Sequence, residues 1–302
     1  MAISAYFGPM RPNFLLLPPI CVALGASVAW LETGQLNGLD LALALLGAIL
    51  AHASVNMLNE FEDFSNGLDA MTDRTPFSGG SGTLQAHPDL ASYTRTAGIA
   101  TLMGTSAVGI YFLISRGVGL LPLGLLGVIT VAAYSKWIVR SPLVSLVAPG
   151  LGFGPLMVVG TAFVLTGRYS PLAFLVSLCP FFLVSGLLLL NQFPDTEPDR
   201  KVGRKNLPIV YGRDRAATVF NVMLVAAFLP TLVGLLAGWL PPQAALGLLP
   251  VLALPKLMVG AARHADDIPA LIPVMGLNVI TVLASPALLA IGIAWGAAGT
   301  GP

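Results

Sequence analysis

Charged side chains are scarce in this chain. Asp, Glu, Lys and Arg make up 10% of its 302 residues, against roughly 25% in a soluble domain. So little charge cannot clothe a water-soluble fold of this length, and 56% of the residues are hydrophobic. Cysteine is scarcer still. Cys21 and Cys179 both lie inside apolar runs, which excludes a disulfide framework and a cysteine metal cluster. The net charge is only +1, so no strongly basic or acidic balance points to nucleic acid. A cleavable leader pattern is also missing. The apolar run behind Arg11 ends without a small-residue cleavage site, and the first helix is expected to be retained.

What the sequence does have is apolar stretches of about 20 residues, each long enough to cross a ~30 Å hydrocarbon layer. Hydropathy places nine spans at 13–33, 38–58, 96–115, 118–135, 143–166, 171–193, 216–238, 242–262 and 270–297. The expected fold is all-α, a polytopic membrane protein of about nine helices around a central cavity. Residues 1–302 form one domain, with a weak internal repeat over about 13–135 and 143–262. The cations fall in alternate loops: all but Arg116 and Arg168 lie on the side of the N-terminus, with Lys256 inside the eighth span. The positive-inside rule then puts the N-terminus and the even-numbered loops in the cytoplasm. The acids follow the same side, except Glu32 and Asp40. Orientation does not require that, because Asp and Glu contribute little to it. Something on that face needs carboxylates.

Two stretches supply them. Asn191-Gln192-Phe193-Pro194-Asp195-Thr196-Glu197-Pro198-Asp199 runs straight on into Arg200-Lys201 and Arg204-Lys205. Earlier, Asn59-Glu60-Phe61-Glu62-Asp63 is followed by Asp69, Asp73 and Arg74. In each, an Asn precedes an Asp by four positions, a spacing that stacks side chains on one helical face. Membrane-edge carboxylates are costly and mark function. Mg²⁺ favours a few carboxylates together with substrate phosphate oxygens. Two carboxylate sets with neighbouring cations therefore suit a diphosphate held between two metal clusters. Metals and fixed cations stabilise the charge that develops when a carbon–oxygen bond to diphosphate breaks. An apolar, water-poor, aromatic-lined cavity would protect the allylic cation left behind.

With Arg11 before the first span and Tyr134-Ser135-Lys136 after the fourth, the two motifs make the chain resemble the UbiA superfamily of intramembrane prenyltransferases. Asn59-x3-Asp63-x5-Asp69 with Asn66-Gly67, and Gly154-Pro155-Leu156-Met157-Val158-Val159-Gly160-Thr161, are most similar to the 1,4-dihydroxy-2-naphthoate polyprenyltransferase branch. The resemblance implies that Asn59, Asp63, Asn191, Asp195 and Asp199 bind Mg²⁺. It makes Asp63, Asp69 and Asp195 the catalytic carboxylates, with Asp69 assisting in metal binding or proton handling. Arg11, Tyr134, Lys136, Arg140 and Lys205 would hold the diphosphate. The implied reaction is Mg²⁺-dependent transfer of an isoprenyl group from its diphosphate to an aromatic, naphthoate-like quinone precursor, as in menaquinone biosynthesis. The alternative within the same superfamily is a membrane terpene cyclase that needs no acceptor. The partners are an isoprenyl diphosphate, an aromatic acceptor and membrane lipid, with no nucleic acid.

Pro194 interrupts the second motif, and the glycine-rich run Ser78–Gly82 matches no family role. A solvated place is expected for Glu60, Glu62, Asp73 and Glu197. His52 reads as a hydrogen-bonded structural histidine, and Asn278 as bonding a neighbouring helix. Pro149-Gly150 and Gly154-Pro155 read as ordinary membrane-helix composition. Phe14, Phe61, Phe64, Tyr111, Phe112 and Phe153 are candidate cavity aromatics.

Overall fold

In the computed structural model, which describes residues 4–299, the chain is all helix and connecting loop. Residues 1–3 and 300–302 of the expected 1–302 domain lie outside the described residues. Eight helices are long and apolar enough to cross a membrane: α1 Pro12–Thr33, α2 Gly38–Ser65, α3 Pro88–Arg116, α5 Pro142–Thr166, α6 Pro171–Asn191, α7 Arg213–Leu236, α8 Pro242–Arg263 and α9 Ile268–Gly299. A ninth, α4 Val118–Ala133, is apolar but shorter. These match the nine expected spans among the described residues.

Short connections make successive helices antiparallel neighbours. The turn after α1 shows how the sequence dictates this. Gly34 adopts φ +67 and donates its N–H to the Trp30 carbonyl at 2.8 Å, closing α1. Asn37 then opens α2 by accepting from the Asp40 N–H at 3.1 Å. At this end of the bundle, the four charges that break the sidedness pattern pair with one another. Asp40 is bridged by Arg116, and Glu32 accepts from Ser170 Oγ at 2.5 Å with Arg168 at 3.8 Å.

The centre of the bundle is α1 and α6, whose spans are the most thoroughly buried, whereas α3 and α4 are peripheral. Small residues let the central helices touch backbone to backbone. A Cβ on Gly25 would sit 2.4 Å from the Val158 carbonyl oxygen, and one on Gly150 would sit 2.1 Å from that of Phe181. Contact this close locks α5 against α1 and α6.

The prolines of α5 do more than composition requires. Pro155 has no N–H, and in an α-helix its ring would collide with the carbonyl four residues back. The helix widens instead into a π-type turn over Gly152–Val159, an insertion that recurs at functional sites. Gly152 and Phe153 from this distorted stretch, and Pro149 in the turn before it, line the central cavity. The ordinary-composition reading of these residues therefore gives way to a structural one.

The second motif also departs from the expected geometry. Its helix stops at Asn191, a turn carries Gln192 to Asp195, and a separate short helix runs Thr196–Lys201. Pro194 cannot donate to a carbonyl of the preceding turn, so α6 ends there. Asn191, Asp195 and Asp199 are thus delivered by three pieces of chain and not by one helical face.

Candidate active site

A cavity of about 710 Å³ opens at the end of the bundle that carries both motifs. Its upper wall is polar, with Arg11, Asn59, Asp63, Asp69, Tyr134, Asn191, Asp195, Asp199 and Arg204. Of the aromatic candidates, Phe14, Phe112 and Phe153 line it, joined by Phe77. Phe61 instead packs under the Arg95 guanidinium at 5.6 Å.

The first motif is built on the last two turns of α2. Asn59 Nδ2 donates to Asp63 Oδ2 at 2.8 Å, the helical stacking expected from their spacing. Ser135, between Tyr134 and Lys136, donates its hydroxyl to Asn59 Oδ1 at 3.2 Å. In the second motif, the Asp199 N–H donates to the Asp195 carbonyl at 2.9 Å. Asp199 accepts from Arg204 Nη1 and from Asn206 Nδ2, each at 2.9 Å. The other amino group of Arg204 bridges to Asp63 Oδ1. One guanidinium therefore ties the two motifs together across the mouth of the cavity.

Sequence reasoning passed over Arg204 in favour of its neighbour Lys205. Gly203, at φ +80, turns the chain back so that the Arg204 N–H reaches the Asp199 carbonyl at 3.1 Å. That turn sends residue 204 inward and leaves Lys205 exposed. Gly203, Arg204 and Asn206 in sequence behind Asp199 were the available signal. Lys136 and Arg140 are exposed as well and, with Lys205, do not line the cavity.

Glu60, expected to be solvated, is completely buried. It accepts from Arg11 Nη2 at 3.0 Å and from the Ser81 N–H at 3.0 Å. Arg11 is the single non-glycine residue with positive φ among the described residues, at φ +52. Such a backbone persists where surrounding contacts over-determine it. The Glu60 carboxylate thereby strings the N-terminal segment, α2 and the glycine-rich run into one strap over the mouth. Gly80 allows the close approach: a Cβ there would lie 3.0 Å from Asp69 Oδ1, at φ +76.

Burial, then the neighbouring Glu60 and Asp63 charges, pushes the Asp69 carboxyl up to about 7. Burial, then Asp199, does the same to Asp195, also to about 7, with the Ser78 hydroxyl, Arg204 and Arg11 acting the other way. Asp199 is raised chiefly by burial. Three buried oxygens at the mouth, Asp69 Oδ2, Asn191 Oδ1 and Asp195 Oδ1, have no hydrogen-bond partner among the described residues. Unsatisfied buried acceptors are costly, and these suit a cation or its hydration shell. Among the described residues no three His, Cys, Asp or Glu side chains converge tightly enough to hold a metal unaided. The donor set still fits Mg²⁺, which takes one or two carboxylates and fills its octahedron with phosphate oxygens and water.

Two further expectations fail. His52 Nδ1 has no hydrogen-bond partner among the described residues; the ring lines the cavity edge-on to Phe153, centroids 4.9 Å apart. Both side-chain polar atoms of Asn278 are likewise unpartnered.

Facing carboxylate motifs thus stand at the mouth of a largely apolar cavity within a bundle of membrane-length helices. The chain belongs to the UbiA prenyltransferase family, which it matches over residues 16–280. It is 29% identical over 231 residues to 1,4-dihydroxy-2-naphthoate octaprenyltransferase of Bacillus subtilis, covering 72% of this chain and 70% of that protein. It is 25% identical over 249 residues to digeranylgeranylglyceryl phosphate synthase of Pyrococcus abyssi, covering 80% and 82%. A UbiA homolog from Aeropyrum pernix superposes with a TM-score of 0.68 at 18% identity, covering 93% of this chain and 97% of the other. A UbiA homolog from Archaeoglobus fulgidus bound to GPP and Mg²⁺ superposes with a TM-score of 0.58 at 15% identity, covering 94% and 99%. The two structural likenesses concern the fold. The protein is a multi-pass membrane prenyltransferase that transfers isoprenyl groups.

Proposed function

We propose that the chain alkylates an aromatic, naphthoate-like acceptor with the isoprenyl group of an isoprenyl diphosphate, using Mg²⁺. The observation that carries this reading is the junction of Asp63 and Asp199 through Arg204 at the polar mouth of an otherwise apolar cavity. The similarity to the Bacillus subtilis octaprenyltransferase supports the acceptor class, and the Mg²⁺ and GPP bound to the Archaeoglobus homolog support the cofactor and donor. The charged end of the bundle faces the cytoplasm, in keeping with the positive-inside bias.

Asn59, Asp63, Asn191, Asp195 and Asp199 would hold the metal. When bound there, Mg²⁺ would supply positive charge against the departing diphosphate. Arg204 and Arg11 stand beside the same headgroup, and Tyr134 faces it from the end of α4. Lys136, Arg140 and Lys205 act from the rim, drawing the polyanion to the mouth. The carbon–oxygen bond to diphosphate breaks and a carbon–carbon bond forms to the electron-rich ring. The ring proton passes to Asp69, whose unpartnered Oδ2 and carboxyl near 7 suit a general base at neutral pH. Apolar walls below keep water from the allylic cation.

Purified protein with Mg²⁺ and geranylgeranyl diphosphate tests this, with and without 1,4-dihydroxy-2-naphthoate, reading diphosphate release and product mass. The expected result is release only with the naphthoate, giving a prenylated aromatic. Release without acceptor, giving a cyclic product, would replace this reading with the cyclase. A parallel arm with geranylgeranylglyceryl phosphate tests the activity named for the Pyrococcus relative. Asp63→Ala and Asp195→Ala should each abolish release in a folded protein; activity in both would sink the two-motif site.

A further inference from the structure

Below the polar mouth, the cavity is deep, and its depth is kept open by missing side chains. Down one face of α2 the wall runs Asp63, Asn59, His52, Ala48 and Ala44, and every α2 residue lining the cavity below His52 is Ala or Gly. From Asp63 to Ala44 that wall extends about 28 Å at 1.5 Å per residue, close to the ~30 Å hydrocarbon thickness. Opposite, on α4, Gly127 and Gly124 lie about 10 and 15 Å below Tyr134 along the helix. Together with Gly109 of α3 and Gly152 of α5, they line the same cavity, and a Cβ added at any of the four meets nothing within 4 Å. Gly25 and Gly150 are glycine because helices touch there; these four are not explained by packing. Glycine inside a helix is conformationally unfavourable, so four of them facing open space mark a volume that something fills. His52, buried, unpartnered at Nδ1 and set against Phe153, stands where the wall of α2 turns from amides and carboxylates to small apolar residues.

The floor takes the prenyl tail of the donor, and we propose that Gly124 and Gly127 of α4 set the tail length the enzyme accepts. The inference rests on the prenyl-transfer reading and names the residues that set donor length at that same site. Tail beyond the second isoprene unit runs past Gly127 toward Ala44. A side chain at 127 or 124 would occupy that path without touching the mouth, because space and not protein lies in front of it.

The test is binding of geranyl, farnesyl and geranylgeranyl diphosphate to the full-length protein in nanodiscs with Mg²⁺ and no acceptor, by competition against radiolabelled farnesyl diphosphate. Gly127→Leu and Gly124→Leu are compared with wild type and with Ile129→Phe, which adds bulk on the exposed outer face of α4. Wild-type affinity should rise with each added isoprene unit. In either Leu variant the preference for geranylgeranyl over geranyl diphosphate should fall about tenfold, the factor that displacing roughly two buried methylenes carries. Ile129→Phe should keep the wild-type preference. The inference is overturned if wild type is blind to length, if both Leu variants keep the wild-type preference, or if Ile129→Phe changes it equally. Failure to bind a diphosphate of any length would instead sink the prenyl-transfer reading, and this inference with it.

Discussion

Arg204 closes on Asp63 of α2 from 141 residues further along the chain, while its other amino group holds Asp199 at 2.9 Å. Both carboxylates are buried. Leaving a buried charge without its partner costs about 3–5 kcal/mol. Arg204→Ala is therefore expected to lower the melting temperature sharply in metal-free buffer. Added Mg²⁺, able to neutralise the same two acids, should restore much of the loss. Arg204→Lys keeps the charge without the two-pronged geometry and should fall between. Thermal unfolding of the three proteins with and without Mg²⁺ checks the order.

The inward Arg204 and the exposed Lys136, Arg140 and Lys205 predict different kinetic signatures. Removing any of the three rim lysine or arginine charges should raise KM for the prenyl diphosphate a few-fold at low salt, leave kcat near wild type, and lose its effect as salt screens the field. Arg204→Ala should depress kcat at every salt concentration. Steady-state kinetics from low to high ionic strength separates the two patterns.

Asp69 and Asp195, each pushed up to about 7, predict how pH and metal are linked. A carboxyl raised in the fold contributes stability that is present below its unfolded value near 4 and is lost as pH rises through about 7. Metal-free protein should thus lose stability as pH rises from about 4 to about 7. Mg²⁺ needs ionised ligands, so its affinity should rise over the upper part of the same range, with protons released on binding. Titration calorimetry in two buffers of different ionisation enthalpy measures that release; its absence at pH 6 to 7 would contradict the assignment.

Glu60 predicts a defect in closure. Glu60→Gln keeps the shape but loses the charge that accepts from Arg11 and the Ser81 N–H, bonds worth about 1.5–3 kcal/mol when charged. The strap over 78–82 should loosen, giving faster hydrogen exchange at those amides, a higher KM and a kcat reduced less than by Asp63→Ala.

Much of this protein was legible in its sequence. Spans of about 20 apolar residues can only cross a bilayer or fill a core, so the nine helices and the crowding of charge at one end follow from composition and spacing. The stacking of Asn59 on Asp63 follows from helical periodicity. Identity and spacing say nothing, however, about which way a loop residue faces. Gly203 turns Arg204 inward and Lys205 out, a choice made by one backbone dihedral and settled by two buried acids, Asp63 on α2 and Asp199. Glu60 looked like any loop-edge acid until Arg11 and Ser81, 49 residues before it and 21 after, came to rest against it. The glycines of α4 carried no local signal at all. A missing side chain matters only through what lies opposite, and packing alone decided that Gly25 meets a carbonyl while Gly127 faces the open cavity.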